Sequence, residues 1–228
     1  MSRIALSWSS GKDSAWTLHK LNQQGEHEIV VLVTTVNQQF DRVAMHAVRQ
    51  QLLAKQAEAV GLPLIEVPIP FPCSNEQYEQ AMSGLVEQLK KMDIEFMAFG
   101  DLFLEDIRRY REDRLEGTGI RPLFPLWQIP TDELASTMIE NGLEAVITCV
   151  DPKQLPADFS GRGFTQSLLR ELPEGIDPCG ENGEFHSFVY NGPMFRHAVD
   201  IEVGETVERD GFVFTDVMAK PDPLQARS

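Results

Sequence analysis

Cysteine is scarce: 228 residues hold three, Cys73, Cys149 and Cys179, far apart in the chain. There is no CxxC pair and no His/Cys cluster at metal-ligand spacing, and so sparse and odd a count suits a reducing compartment. Positive charge is short as well, 20 Lys and Arg against 35 Asp and Glu, a net charge of −15. A surface that negative repels phosphate backbones and anionic lipid, so neither nucleic acid nor membrane is an expected partner. The densest basic run, Arg108-Arg109-Tyr110-Arg111, is interleaved with Glu105, Asp106, Glu112 and Asp113 and reads as a solvated helix face. Long apolar runs are missing: the longest, near Ile29 to Val36, cannot span a bilayer, and no signal-peptide core precedes the first motif. Repeats and low-complexity tracts are absent too. A cytoplasmic protein is expected, one α/β domain with a modest appendage.

What is present is alternation. The apolar run Arg3 to Trp8 stops at Ser9-Ser10-Gly11-Lys12-Asp13-Ser14, after which Ala15, Leu18 and Leu21 recur at helical steps up to Gly25. Ile29 to Val36 reads as a buried strand, Met45 to Val60 as a helix stopped by Gly61, and Leu64 to Val67 as a third strand. Asn75 is expected to cap a long helix carrying Tyr78, Met82, Leu85, Leu89 and Met92. Glu95 to Phe99 is a fourth strand, followed by a charged helix from Glu105 to Leu115 and a Pro-rich stretch, Arg121 to Trp127. Thr131 is expected to cap a helix ending at Gly142, and Ala145 to Val150 is a further strand. This order predicts a doubly wound parallel sheet over residues 3 to 150. Beyond Asp151 a smaller α+β region is expected, with a helix near Phe164 to Leu172, a strand Phe185 to Tyr190 and a hairpin turning at Asp210-Gly211. Division near residue 130 gives domains 1–130 and 131–228, and the chain from Pro221 onward reads as a frayed tail.

The strongest chemical signal is strand–SSGKDS–helix. Small residues at Ser9, Ser10 and Gly11 let backbone amides approach a ligand, and the helix N-terminus favours an anion. Lys12 adds a positive charge, Ser9 and Ser14 add hydroxyls, and Asp13 suits a Mg²⁺ ion bridging to phosphates. The string fits neither GxxxxGK[ST] nor GxGxxG, which disfavours a Walker ATPase or a dinucleotide dehydrogenase. It also reads as a plain loop with Asp13 or Ser14 as helix cap. A second candidate is Asp177 to Ser187 (DPCGENGEFHS), where Gly180 and Gly183 permit a tight turn and Glu181, Glu184 and His186 converge. Such carboxylates can hold an ammonium, a Mg²⁺ or a cationic substrate group, or form only an acidic surface turn. Asp101, after the fourth strand, stands at the crevice edge where doubly wound sheets bind ligands, and equally suits a helix cap. Cys179 has no His base nearby in sequence, Cys149 reads as core, and His19, His27 and His46 read as exposed.

SSGKDS resembles the SGGxDS PP-loop of the N-type ATP pyrophosphatases, with Ser10 in place of the first glycine, where a positive φ would be strained. FGDLFLEDIRRYRE with GIRPLFPLW (Phe99 to Glu112, Gly119 to Trp127) and DPCGENGEFHS narrow the resemblance to the diphthine–ammonia ligase-like family, over essentially the whole chain. Gly180, Glu181, Gly183 and Glu184 match the family's GEGGEYET-type segment, whereas Asn182, Phe185, His186 and Ser187 depart from it and resemble a bacterial branch. The resemblance implies a five-stranded parallel nucleotide-binding domain and an ATP-dependent ligase. In such a ligase a carboxylate attacks the α-phosphate, pyrophosphate leaves, and ammonia converts the acyl-adenylate to an amide. It implies Lys12, Asp13, Glu181 and Glu184 as catalytic residues, with Ser9, Ser10, Gly11, Lys12, Asp13, Ser14, Thr35 and Asp101 on ATP and Asp13 on Mg²⁺. Adenine is expected beside Thr34 to Val36. Gly180, Asn182, Gly183, His186, Arg114 and Glu116 would meet the acceptor, which is a small-molecule or protein-borne carboxylate, diphthine, a corrinoid or another. Ammonia is the expected nitrogen donor, because Ser2 follows Met1 where an N-terminal cysteine glutaminase would need Cys. A homodimer is compatible with the sequence. Two other readings are a non-catalytic adenine-nucleotide sensor and a PP-loop tRNA-modifying enzyme. Net charge and the lack of paired cysteines disfavour the tRNA-modifying enzyme.

Overall fold

The computed structural model describes residues 1–37, 42–43 and 48–220. In chain order the first half runs β1 (Ser2–Ser7), α1 (Lys12–Gln24), β2 (His27–Asn37), β3 (Arg42–Val43), α2 (Gln50–Val60), β4 (Leu64–Ile69), α3 (Asn75–Lys91), β5 (Phe96–Ala98), α4 (Glu105–Leu115) and β6 (Arg121–Leu123). Five of these strands lie parallel in the order β4-β2-β1-β5-β6, and β3 adds a short antiparallel pairing to β2. The second half runs α5 (Thr131–Glu140), β7 (Glu144–Val150), α6 (Gln166–Glu171), β8 (Phe185–Asn191), β9 (Ile201–Arg209) and β10 (Phe212–Ala219). Its four strands form a separate antiparallel sheet, β8-β7-β10-β9.

The period-2 alternation of β1 divides the core. Ile4, Leu6 and Trp8 point into one cluster with Leu18, Leu21 and Leu53, and that cluster continues into Val146 and Phe188 of the second sheet. Ala5 points the other way, onto Leu85, Leu89 and Leu115 of α3 and α4. Helix α1 therefore lies between the two sheets, and its N-terminus opens where β1 and β5 end. Among the described residues, no helix is long and apolar enough to cross a membrane.

Several local expectations meet a different structure. The expected strand Ala145 to Val150 is buried on both faces, yet it belongs to β7 of the antiparallel sheet. A strand buried on both sides reads the same whichever way its neighbours run. The fifth parallel strand is instead β6, whose Pro122 sits where only an edge strand tolerates it. Ser74, not Asn75, caps α3, through a reciprocal capping box with Gln77. Pro130 is the cap residue of α5 and Thr131 its first helical residue. His19 and His27 are half-buried against Trp16 and Phe96 rather than exposed. Gly61 ends α2 at φ 77° as its sequence position requires. Met45, His46 and the chain from Pro221 onward lie outside the described residues.

Candidate active site

The turn from β1 into α1 leaves the helix N-terminus open. Gly11 is its N-cap residue, in extended conformation, and no side chain caps it, so neither Asp13 nor Ser14 serves that role. The Ser14 hydroxyl instead donates to the Gly11 carbonyl (3.0 Å) and accepts the Ser9 N–H (3.3 Å), while Ser9 Oγ accepts the Gly11 N–H (3.3 Å). Hydroxyls thus brace the loop from within, and the first turn of α1 keeps the partial positive charge that attracts an anion. Gly100 closes the other side: a Cβ there would stand 2.9 Å from the Asp13 carbonyl carbon.

Ser10 holds the loop in shape at some cost. Its φ is 68°, the left-handed region that L residues other than Asn and Asp rarely enter. The conformation is fixed from outside: the Ser10 carbonyl accepts from Val189 N of β8 and from Gln56 Nε2 of α2, each at 3.0 Å. Gln56 is wholly buried and also donates to the Val189 carbonyl (2.5 Å) and accepts from Trp8 Nε1 (3.0 Å). A further tie runs from the Lys12 backbone N–H to Ser187 Oγ at 3.2 Å. The second sheet is therefore part of the loop's support. Strain of this kind persists only where its surroundings over-determine it. Ser10→Gly should leave the midpoint of chemical denaturation unchanged or raise stability by up to about 1 kcal/mol. Gln56→Leu orphans the Trp8 N–H and should cost about 1–3 kcal/mol. A Ser10→Gly variant as damaged as Gln56→Leu would contradict this account of the loop.

Across the crevice the loop from Asp177 to Glu184 is built on two turns. Gly180 and Gly183 have φ of +69° and +84°, and a Cβ on Gly180 would meet the Phe185 carbonyl oxygen at 2.8 Å. The Asp177 carboxylate accepts the Glu181 N–H (2.8 Å), and Glu181 Oε1 accepts the Leu102 N–H (2.8 Å) from the segment after β5. Glu181 therefore spans the crevice from one half of the chain to the other.

The resulting cavity, about 230 Å³, is lined by Ser9, Gly11, Lys12, Asp13, Ser14, Gly100, Asp101, Arg111, Cys179, Gly180, Glu181, Gly183 and His186. Most of the sequence-predicted residues thus share one wall-to-wall space. Ser10 stands behind it, buried. Glu184 does not line it: 1% exposed, its Oε1 accepts the Asp177 N–H (3.0 Å) and the Asn182 side-chain amide (3.1 Å), and Asn182 is likewise outside the lining. Thr34 and Thr35 line a neighbouring cavity of about 240 Å³ with Trp8, Ser9 and His186. Arg114 and Glu116 lie farther off, in a groove between α3 and α4.

Charge in the cavity is tightly arranged. The Lys12 ammonium donates to both Asp13 oxygens (2.8 and 3.0 Å) and faces the Phe185 ring at 5.6 Å. Burial works against its charge, but the Asp13 carboxylate beside it holds Lys12 above the usual range, so it stays cationic. Burial raises Asp13 against the pull of Lys12, and raises Asp101 against the pull of Arg111 3.5 Å away. Burial pushes Glu181 up to about 7, against the opposing Leu102 N–H and Lys12 charge. His186 is driven down to about 4 by burial and then by Lys12, so its ring is neutral. Burial raises both buried thiols, Cys149 to about 12, and Cys179 is raised in the same direction, which disfavours either as a nucleophile.

Arg111 is a charged cavity residue that sequence reasoning did not assign to the site, as it also left out Ser7, Phe99, Cys179, Phe185 and Ser187. Arg111 was legible in principle: it lies one turn before Leu115, the single buried residue of α4, and so shares its inward face. The alternating charges around it hid that position.

Among the described residues, no group of three or more His, Cys, Asp or Glu side chains could hold a metal ion. Asp13 and Asp101 fit the other way a Mg²⁺ is commonly held, by one or two carboxylates together with substrate phosphates and water.

A family model described as the diphthamide synthase N-terminal domain matches residues 1–122, and one described as the diphthamide synthase C-terminal domain matches residues 130–217. Among curated proteins the chain is similar to the diphthine–ammonia ligase of Rattus norvegicus, 27% identical over 238 residues that cover 94% of this chain and 88% of that one. The diphthine–ammonia ligase of Danio rerio is 28% identical over 231 residues, 92% of this chain and 90% of that one. A solved chain described as a predicted subunit of tRNA methyltransferase from Methanocaldococcus jannaschii covers 85% of this chain and 98% of its own at 13% identity and a TM-score of 0.41, too slight a likeness to carry an argument.

Proposed function

The chain belongs to the diphthamide synthase family, and on that premise we propose that it is an ATP-dependent ligase that converts a substrate carboxylate to an amide with ammonia, releasing AMP and pyrophosphate. One observation carries the reading: an uncapped helix N-terminus with a buried lysine faces a raised-pKa carboxylate across a single cavity. Residues 1–130 would hold the nucleotide, and the loop from residues 131–228 would serve the incoming nitrogen.

The N-terminus of α1 and the Lys12 ammonium bind and neutralise the phosphates. An acceptor carboxylate oxygen then bonds to the α-phosphorus as the bond to the β-phosphate breaks and pyrophosphate leaves. Mg²⁺ held by Asp13 and Asp101 would supply charge neutralisation on the phosphates. Ammonium enters beside Glu181, which is close to half ionised near neutral pH and accepts its proton. The freed nitrogen bonds to the acyl carbon as the bond from that carbon to the AMP oxygen breaks, and the second proton the nitrogen sheds leaves with the AMP phosphate. Glu184 takes no direct part: it buttresses the loop through Asp177 and Asn182. The acceptor is diphthine or another carboxylate, the loop departing from the GEGGEYET-type segment at Asn182 and His186.

A nucleotide sensor on the same sheet has no need of a second, buried carboxylate in the phosphate cavity. Thermal shift with ATP and GTP, followed by product analysis, separates the readings. ATP should stabilise more than GTP, because backbone groups near Thr35 fit one base edge, and slow release of AMP and pyrophosphate should follow. Equal stabilisation by both nucleotides, with no pyrophosphate released from ATP alone or with any carboxylate, would favour the sensor.

A further inference from the structure

A larger cavity adjoins the phosphate site and the steps above leave it unused. Between α3 and α4, over β5, runs a groove of about 480 Å³ floored by Met82, Val86, Met97 and Leu115. Phe99 and Arg111 line both this groove and the phosphate cavity, so the two spaces meet at those side chains. Glu79 pairs with Arg114 (2.8 Å) and Glu87 with Lys90 (3.3 Å), and the remaining carboxylate of the lining, Glu116, is offset in charge by Arg111. What they leave is an apolar trough with no net charge of its own.

Its inner end is different. The Arg111 guanidinium lies over the Phe99 ring at 5.0 Å, and its Nε stands 3.5 Å from Asp101 Oδ2. Both of those atoms are buried and neither makes a hydrogen bond. The Arg111 side chain is half-buried, with its Nε enclosed and poorly matched to Asp101, so the rest of the guanidinium is suited to receive a second carboxylate in the fork geometry that arginine offers. Two methionines in the floor let the trough adapt to an aliphatic chain.

We infer that the groove between α3 and α4 is the acceptor site, and that it takes a carboxylic acid carried on an uncharged, largely apolar arm. The arm lies along Met82, Val86 and Met97, and Arg111 holds the carboxylate at the junction with the phosphate cavity. This rests on the ligase reading and deepens it. The nucleoside is assigned to the cavity beside Thr34 and Thr35, which shares Met82, Met97, Phe99 and Arg111 with the groove, whereas Ser83 and Val86 line the groove and not that cavity.

The test uses three stable mimics on the full chain by titration calorimetry: adenosine 5′-sulfamate, its N-acetyl derivative and its N-hexanoyl derivative. The four additional methylenes of the hexanoyl arm, even partly buried, should tighten binding tenfold or more over acetyl. Ser83→Trp places a bulky ring at the exposed rim of the groove, where folding is not at stake, and should remove that advantage while leaving the sulfamate unaffected. Arg111→Gln should weaken both acylated mimics about tenfold and the sulfamate little. If acetyl and hexanoyl bind equally, both tighter than the sulfamate, the groove is not the acceptor site and the ligase reading survives. If neither acylated mimic outbinds the sulfamate, the ligase reading falls too. If Ser83→Trp weakens all three alike, the groove houses the nucleoside and the inference is overturned.

Discussion

Lys12→Met should abolish measurable ATP binding, a loss of at least tenfold from one charge-assisted phosphate contact of about 1.5–3 kcal/mol and more as the helix N-terminus loses its companion charge. The variant also loses stability, because Lys12 is 3% exposed and paired to Asp13 at 2.8 Å. Breaking a buried pair costs about 3–5 kcal/mol when the survivor is left charged. Here the survivor, a quarter exposed, can take a proton or meet water, so the cost is smaller. Adding Asp13→Asn to Lys12→Met removes the stranded carboxylate. The double variant should recover much of the lost denaturation midpoint and still fail to bind ATP by calorimetry. Recovery of ATP affinity along with stability would remove Lys12 from the phosphate site.

Glu181→Gln should cut amide formation by about 10²-fold or more, as loss of a general base does, while ATP affinity stays within a few-fold. Size and the acceptor for the Leu102 N–H are kept, and only the ionisable proton site is lost. The parent rate should rise with pH through about 7 as Glu181 ionises, and the variant should lack that rise. Stability moves the opposite way. A carboxyl whose folded pKa lies near 7, above its ordinary value of 4.5, favours the folded state below about pH 4.5 and loses that contribution as pH climbs through 7. Relative to the parent, Glu181→Gln should therefore melt higher at pH 8 and no higher at pH 4. Glu184→Gln is the contrast: outside the cavity, it should shift stability more than it shifts the rate or its pH profile. Joint loss of ATP binding in Glu181→Gln and Lys12→Met would place Glu181 on the nucleotide instead.

How much of this the chain disclosed depends on how local each cause is. The turn at Ser9 to Ser14, the stop at Gly61 and the hairpin at Asp210-Gly211 follow from residues within a few positions of one another, and the sequence shows them directly. The strained φ of Ser10 was legible as the cost of a serine where the PP-loop pattern has glycine, and it is present at 68°. What sustains it was not legible: Gln56 and Val189 lie 46 and 179 positions away, and a buried glutamine leaves no periodic trace. The direction of β7 is set by partners β8 and β10, which its own apolar run does not encode. Glu184 and Glu181 look equivalent in the string GENGE. Only the turn at Gly183 sends one into the core and leaves the other in the crevice.

The most direct measurement follows the oxygen. An acceptor carboxylate labelled with ¹⁸O, diphthine first and then neutral alkyl carboxylates, is incubated with the protein, ATP and ammonium, and the phosphorus-containing products are analysed by mass. Attack of the carboxylate on the α-phosphate, followed by ammonia at the acyl carbon, predicts one labelled oxygen in AMP and none in pyrophosphate. Labelled inorganic phosphate accompanied by ADP would mean that the γ-phosphate is attacked, and would contradict the account.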